Sequence, residues 1–134
     1  AILRALRARS IAAAIVTSNS SRTVNCWLER HRLTALVGDI VGRDSELALK
    51  PAPAMVLSAL ARAGAGAADA VFVGDSEADL AAACAAKVGF YGIAAKPAAR
   101  ERLRALGAKE VFESPAALAH RLNLSMGVPA HETP

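Results

Sequence analysis

An acidic cluster follows directly on an apolar run in the segment VFVGDSEADL, residues 71–80. Asp75 comes right after the run and Asp79 follows four positions later, so both carboxylates lie on one side of the chain as it enters a helix. Two carboxylates so close repel each other unless a cation joins them, and oxygen-rich sites favour Mg²⁺. We therefore predict Asp75 and Asp79 as metal ligands, whereas Glu77 fits a residue that begins the helix. The alternative is that the whole cluster only caps the helix.

A second polar group follows another apolar run, IAAAIV at residues 11–16. It consists of Thr17, Ser18 and Asn19, which come just before the next predicted helix. A hydroxyl group and several backbone N–H groups near a helix N-terminus form a site suited to phosphate. The alternative is that residues 17–21 only cap the helix.

Lys50 lies between an apolar segment and a helix that begins with prolines, in LALKPAPAMV. A lysine at this place could reach a shared pocket and neutralise the charge of a phosphate or a carboxylate. Pro51 and Pro53 restrict the backbone beside it. Most lysines are simply solvated. Lys50 therefore indicates a functional site only together with the other two polar groups.

The letters GDS, residues 74–76, also begin the nucleophile motif of a family of serine esterases. Such a site needs a histidine base, usually with an aspartate three positions before it. No histidine here meets this condition: the pairs are Leu28 and His31, Ala117 and His120, and Val128 and His131. The esterase interpretation is therefore not favoured.

Strands and helices alternate along the chain, and they must position these polar groups. We predict strands at 11–18, 39–42, 70–74, 89–94 and 110–112, and helices at 2–10, 20–33, 51–64, 77–87, 97–107 and 114–122. This alternation is typical of right-handed β-α-β units, and it predicts an α/β fold with a Rossmann-like parallel sheet flanked by helices. Ligands of such folds bind at the carboxyl ends of the strands, where the polar groups lie.

Two helical segments carry further expectations. The helix at 20–33 should have a serine cap and an inner face. That face is expected to consist of Val24, Trp27 and Leu28. Cys26 and Cys84 lie in helical segments without metal-ligand or CxxC spacing, so we expect reduced and partly buried thiols.

Composition excludes several classes of protein. With 54% hydrophobic and 21% charged residues, the 134-residue chain is not intrinsically disordered and suffices for one core. The net charge is +4, but the arginines are scattered and no aromatic residues interleave with them, so we expect no nucleic-acid partner. No apolar run approaches the roughly 20 residues of a membrane helix, and no signal-peptide order is present. A cytoplasmic protein without a membrane partner is the simplest expectation.

Taken in order, Thr17, Lys50 in its KPxP frame and the GDSxxD of residues 74–79 resemble motifs II, III and IV of the haloacid dehalogenase superfamily. The resemblance is strongest with the branch of phosphoglycolate phosphatases and β-phosphoglucomutases, and it runs over about residues 2–122. Three motifs in the family's order are more specific than any one alone. The resemblance implies a Mg²⁺-dependent phosphoryl-transfer enzyme that acts on a small phosphorylated metabolite.

The same resemblance implies a role for each motif residue. Thr17 would hold the phosphoryl oxygens, together with the backbone of the two residues that follow it. Lys50 would neutralise charge on the phosphate and on the nucleophile. Asp75 would bind Mg²⁺ directly, and Asp79 would bind or orient it.

The family's motif I, a DxDx(T/V) element that supplies the nucleophilic aspartate, has no counterpart in this chain. Asp39, Asp44 and Asp69 have no second aspartate two positions away and come in the wrong order. We therefore expect the C-terminal portion of a core domain, lacking its first strand and its cap. This partial core is predicted to span 1–122, followed by a flexible tail at 123–134.

The family's first strand is central, so its absence should leave a slot in the sheet and favour dimerisation or strand exchange. We predict a phosphatase that hydrolyses a small phosphomonoester through an aspartyl-phosphate, with this chain inactive by itself. Two alternatives remain open. One is a non-catalytic regulatory module that binds phosphate and Mg²⁺, and the other is a phosphomutase of the same branch.

Overall fold

The computed structural model of the chain describes residues 2–124, in which short helices alternate with parallel strands. The helices are α1 (Ile2–Ala8), α2 (Ser21–Arg30), α3 (Ala54–Ala63), α4 (Glu77–Ala85), α5 (Pro97–Ala105) and α6 (Pro115–Arg121). The strands are β1 (Ile15–Val16), β2 (Ile40–Val41), β3 (Val71–Gly74), β4 (Gly89–Ile93) and β5 (Glu110–Phe112). Short 3₁₀ turns occupy Thr34–Leu36, Arg43–Ser45 and Ala67–Asp69. Within residues 2–124, no helix has the length and apolar character needed to cross a membrane.

All strand pairs are parallel, and they form two separate sheets. β1 pairs with β2, while β3, β4 and β5 form a three-stranded sheet with β4 in its centre. A helix connects the strands of every pair, because a parallel pair needs a crossover rather than a hairpin. The predicted α/β, Rossmann-like fold is confirmed, with its strands divided between the two sheets.

The first strand is shorter than the predicted strand at 11–18. In β1, Ile15 is paired with Ile40 and Val16 with Val41, whereas Ile11 is 49% exposed. β2 is itself two residues long, because the chain enters the 3₁₀ turn Arg43–Ser45 directly after Gly42. A strand extends only as far as its neighbour offers backbone groups to pair with, and hydrophobicity alone does not extend it.

Helices α3 and α4 join the two sheets through a common apolar layer. Val56 of α3, Ala82 of α4 and Val88 form a buried cluster. Val16 of β1 and Phe72 of β3 pack against this cluster, one from each sheet. The packing therefore sets the relative position of the carboxyl ends of β1 and β3, although these two strands do not pair.

Helix α2 presents a different face to the core from the one predicted. Ser20 caps it as predicted and accepts a hydrogen bond from the Thr23 N–H at 3.1 Å. Leu28 is 1% exposed, but Trp27 is 53% exposed. The Trp27 ring instead contacts His31, one turn later, at a centroid distance of 4.4 Å. The prediction of Trp27 as an inner residue is wrong, because α2 buries one narrow strip and consecutive residues lie about 100° apart around a helix.

The expectation of partly buried thiols is also wrong. Cys26 and Cys84 are free and exposed. Both lie on solvent faces of helices that bury other positions, namely Leu28 in α2 and Ala82 and Ala83 in α4.

The packed part of the chain extends to Leu124, two residues beyond the predicted boundary at 122. Leu124 is 8% exposed and packs in a cluster with Ala5 and Ala119. Its N–H also donates to the Ala119 carbonyl at 2.9 Å. The remainder of the predicted tail, 125–134, lies outside the described residues.

Candidate active site

The carboxyl ends of β1 and β3 face one open cavity of about 410 Å³. Thr17 enters it from the end of β1, and Lys50 from the segment before α3. Asp75 and Asp79 enter it from the end of β3 and the first turn of α4. The apolar part of the lining consists of Val16, Phe72, Val73 and Ile93. The fold thus brings together four of the predicted site residues from three distant parts of the sequence.

Lys50 and Asp79 form a buried ion pair in the wall of this cavity. The Lys50 Nζ donates to Asp79 Oδ1 at 2.6 Å, and their side chains are 11% and 8% exposed. The ammonium also lies 5.7 Å from the centre of the Phe72 ring, where the ring's negative face attracts a cation. These two contacts hold Lys50 at the cavity in one place.

The second oxygen of Asp79 holds the backbone where β3 passes into α4. Asp79 Oδ2 accepts hydrogen bonds from the Asp75 N–H at 3.1 Å and the Ser76 N–H at 3.3 Å. Ser76 Oγ accepts in return from the Asp79 N–H at 3.1 Å, which completes a capping box. Because Ser76 Oγ caps α4 in this way, its geometry gives no support to a role as nucleophile. Glu77 is the first residue of α4, as predicted.

The electrostatic balance at Asp79 favours the ionised carboxylate. Burial raises the pKa of Asp79. The hydrogen bond and the positive charge of Lys50 lower it, as do the hydrogen bonds from Asp75 and Ser76, and these lowering effects together exceed the effect of burial. The resulting pKa lies below the ordinary value of 3.8. Asp79 is therefore an anion at neutral pH, matched to the cation beside it.

Asp75 is the carboxylate of this site that remains available to a ligand. Its side chain is exposed and accepts no hydrogen bond from any residue within 2–124. In the same range no three acidic, histidine or cysteine side chains are grouped. Mg²⁺ is commonly held by one or two carboxylates, with waters and substrate phosphate completing its shell. Asp75 fits a direct ligand of that kind, while Asp79, with both oxygens in use, fits a residue that orients its neighbours. Metal binding by the two residues stays a prediction.

The loop after β1 carries a hydroxyl hydrogen and one N–H that donate to no residue within 2–124. The Thr17 N–H donates to the Val41 carbonyl at 3.0 Å and so continues the β1–β2 pairing. Thr17 Oγ1 accepts from the Asn19 N–H at 3.1 Å, which leaves the hydroxyl hydrogen to donate elsewhere. The Ser18 N–H reaches no acceptor within residues 2–124. Thr17 and Ser18 are thus available to an anion, whereas the Asn19 N–H is engaged inside the loop. Phosphate binding by the three residues stays a prediction.

Sequence reasoning missed the 3₁₀ turn Arg43–Ser45, which follows β2. Its Arg43 hydrogen-bonds to the loop after β1, and its Asp44 accepts hydrogen bonds from Ser21, the first residue of α2. In the sequence, Asp44 is distinguished only by the lack of a second aspartate two positions away. No spacing rule connects a residue at 44 with a loop at 17–20, because their contact depends on the pairing of β1 with β2.

A model of the haloacid dehalogenase-like hydrolase family matches residues 1–93. The chain belongs to this family. It is 36% identical over 122 residues to the phosphoglycolate phosphatase of Rhodospirillum rubrum, a match that covers 88% of this chain and 48% of that protein. It is 34% identical over 91 residues to the phosphoglycolate phosphatase of Pseudomonas putida, covering 68% of this chain and 34% of that one. The predicted resemblance is confirmed.

A solved structure shows the same arrangement of elements. It is that of a HAD-family hydrolase from Deinococcus radiodurans with bound phosphate and sodium, which matches with a TM-score of 0.77 and 29% identity. The match covers 93% of this chain and 59% of that one. The 134-residue chain spans about half the length of the Rhodospirillum rubrum relative and about a third of the Pseudomonas putida relative.

Proposed function

We propose that the complete protein is a Mg²⁺-dependent phosphatase that hydrolyses a small phosphomonoester. The observation that carries the proposal is the meeting of Thr17, Lys50 and Asp75 at one cavity. Phosphoryl transfer depends on positioning and charge stabilisation, for which a hydroxyl, an ammonium and a carboxylate open to a cation are suited. The hydrolase family and the two phosphoglycolate phosphatases among the relatives support the same activity.

In this proposal the phosphate binds between the β1 loop and Lys50. The Thr17 hydroxyl and the Ser18 N–H donate to its oxygens, and Lys50 neutralises part of its charge. The ammonium has three hydrogens, so its bond to Asp79 leaves two for the phosphate. Because Asp79 and Phe72 already hold Lys50, little side-chain entropy is lost when the phosphate binds.

In the proposed site, Asp75 would hold Mg²⁺ through its exposed carboxylate. Bound there, the ion would supply positive charge to the phosphoryl oxygens. Asp79 supports this arrangement indirectly, since it fixes both the Asp75 backbone and the Lys50 ammonium.

The attacking group in the proposed reaction is an aspartate from a part of the protein beyond these 134 residues. Its carboxylate oxygen bonds to the phosphorus while the ester P–O bond breaks, and the alcohol of the substrate leaves with a proton taken from water. A second water then hydrolyses the aspartyl-phosphate, which regenerates the carboxylate and releases phosphate. The chain by itself is therefore expected to be inactive. Phosphoglycolate, which the names of the two relatives indicate, is the first substrate to test.

The test is the Asp75→Ala variant of the complete protein, measured with phosphoglycolate and with a generic aryl phosphate in the presence of Mg²⁺. We expect the turnover to fall at least about a hundredfold, because the charge stabilisation of the reacting phosphate is lost. Asp69→Ala is the matched control, since Asp69 is an exposed aspartate on the 3₁₀ turn before β3. Undiminished turnover in Asp75→Ala would overturn the proposal.

The same assay separates the two alternative functions. A non-catalytic module would bind inorganic phosphate and Mg²⁺ and release no phosphate from either substrate. A phosphomutase would move the phosphoryl group between positions of a sugar phosphate rather than release it to water. Steady release of inorganic phosphate from phosphoglycolate is the result that we expect.

A further inference from the structure

The turn that follows β2 is hydrogen-bonded to the loop that follows β1. The Arg43 N–H donates to the Asn19 carbonyl at 2.9 Å, and Arg43 Nε donates to the Ser18 carbonyl at 2.8 Å. Asp44 Oδ1 accepts from the Ser21 N–H at 2.8 Å, and Asp44 Oδ2 accepts from the Ser21 hydroxyl at 2.5 Å. Two consecutive residues of the turn thus hold the middle of the loop and the first residue of the helix that follows it.

The contact of Arg43 with Ser18 bears directly on the orientation of Thr17. The Ser18 carbonyl and the Asn19 N–H belong to one planar peptide unit and point in opposite directions. Arg43 holds the carbonyl on one side, while the N–H on the other side donates to Thr17 Oγ1 at 3.1 Å. The guanidinium therefore sets the plane of the peptide that orients the Thr17 hydroxyl.

A glycine allows the turn to approach the loop so closely. A Cβ atom at Gly42 would lie 2.5 Å from the Ser21 nitrogen and 2.8 Å from the Asn19 oxygen. Real Cβ atoms do not approach backbone atoms to such distances, so the two segments pack backbone against backbone here. The turn is consequently in direct backbone contact with the loop.

We propose that Arg43 and Asp44 are positioning residues for the phosphate-binding loop, holding the Thr17 hydroxyl and the Ser18 N–H in the orientation that receives the phosphate. This inference rests on the proposed function, because it assigns the loop to phosphate. Neither residue touches the cavity that Thr17 lines, so their effect is exerted through the loop.

A simpler role for Asp44 is to stabilise helix α2. Ser21 is the first residue of α2, and a carboxylate near a helix N-terminus interacts favourably with its dipole. The hydrogen bonds from the Ser21 hydroxyl and N–H hold the pKa of Asp44 below the ordinary 3.8, so it is ionised at neutral pH. A helix cap alone would affect unfolding and leave phosphate binding unchanged, and this difference is measurable.

The experiment compares Asp44→Asn and Arg43→Ala in the complete protein with two matched controls. Glu46→Gln removes the same charge from an exposed residue two positions away, and Arg62→Ala truncates an exposed arginine at the end of α3. Calorimetric titration with inorganic phosphate in the presence of Mg²⁺ measures the affinity, and thermal unfolding is followed on the same samples. We expect both test variants to bind phosphate about five- to tenfold more weakly, and both controls to bind it like the wild type.

A second measurement locates the effect. In ¹H–¹⁵N spectra the amide signals of Ser18 and Asn19 should shift in Asp44→Asn and Arg43→Ala, while those of Lys50 and Asp75 stay in place. If Asp44→Asn does not fold, Ser21→Ala replaces it, since it loses only the hydroxyl bond to Asp44 and keeps the backbone bond. We expect phosphate binding about twofold weaker in Ser21→Ala.

The failure of the positioning role and the failure of the proposed function would give different results. If the wild type binds phosphate and the test variants bind it equally well, the positioning role is wrong and the proposed function stands. A lowered unfolding temperature with unchanged phosphate affinity would reduce Asp44 to a helix cap. If the wild type binds no phosphate, the proposed function fails and the positioning role fails with it.

Discussion

At the scale of single residues, Asp79 is a charged side chain buried at the cavity. It is 5% exposed, and a carboxylate so buried is stable only when its charge and its lone pairs are matched. Lys50 matches the charge through Oδ1, and two backbone N–H groups occupy Oδ2. One side chain thereby fixes both the cation of the cavity and the backbone that carries Asp75. Removal of its partner should consequently be costly for the fold as well as for the activity.

The Lys50→Met variant tests this dependence through its stability. It leaves Asp79 buried without a charged partner, so we expect the free energy of unfolding at neutral pH to fall by about 3 kcal/mol. Lys109→Met, at an exposed lysine, is the control and should change little. Denaturant unfolding of the complete protein gives both values. Equal stabilities of the two variants would mean that the buried ion pair contributes nothing.

The loss of stability in Lys50→Met, relative to the wild type, should also depend on pH. The pKa of Asp79 is lowered in the folded protein, so its contribution to stability is complete above the ordinary value of 3.8. The contribution is lost as the pH falls through the lowered folded pKa, because the proton then neutralises the carboxylate. The difference between wild type and Lys50→Met should accordingly narrow below about pH 4. A difference that stays constant down to about pH 2 would contradict this account.

Among the elements, the passage from β3 into α4 controls where the acidic residues lie. A Cβ at Gly74 would stand 2.6 Å from both Cβ and Oδ2 of Asp79. The first turn of α4 can therefore fold back against the strand end only because this position lacks a side chain. The capping box of Ser76 and Asp79 then fixes the start of the helix.

The Gly74→Ala variant is expected to push α4 away from the strand end. We expect a loss of about 2 kcal/mol in the free energy of unfolding, together with a loss of turnover because Asp79 no longer reaches Lys50. Gly66→Ala is the control, because a Cβ there meets only Asp69 Oδ2, at 3.7 Å. Urea denaturation and phosphate release measure the two effects. A Gly74→Ala protein that matches Gly66→Ala in both would show that the close approach is unimportant.

In the whole molecule, the division into two sheets leaves strand edges open. Within residues 2–124, β1 pairs only with β2, and β3 pairs only with β4. The inner edges of β1 and β3 border the cavity, and Val71 and Val73 of β3 are 45% and 41% exposed. Open edges beside apolar side chains favour pairing with another chain.

We therefore expect the 134-residue chain, produced by itself, to dimerise or exchange strands. Light scattering over a dilution series measures its mass in solution. Val73→Lys, which places a charge beside the open edge of β3, should shift the equilibrium towards the monomer. A monodisperse monomer of the unaltered chain at all concentrations would contradict the expectation.

The sequence by itself determined the order of the elements, the fold class and the family. Apolar runs of strand length, and the segments of helical periodicity and turn residues between them, are local properties of the chain. They can therefore be recognised in the sequence without knowledge of the fold. The same holds for Thr17, Lys50 and Asp75, because each follows an apolar segment in a motif whose letters lie close together. Predictions from local patterns were wrong where the packing of another segment sets the outcome. Examples are the length of β1 and the exposure of Trp27.

Only the tertiary structure decided which partners Lys50 and Asp79 have. It showed that Asp79 binds Lys50 and the backbone, and that Asp75 is the carboxylate left open. It also brought Arg43 and Asp44 to the loop after β1, a contact between residues more than twenty positions apart. The physical reason is that hydrogen-bond partners across parallel strands are set by the pairing of the strands, and no local pattern in the sequence encodes that pairing.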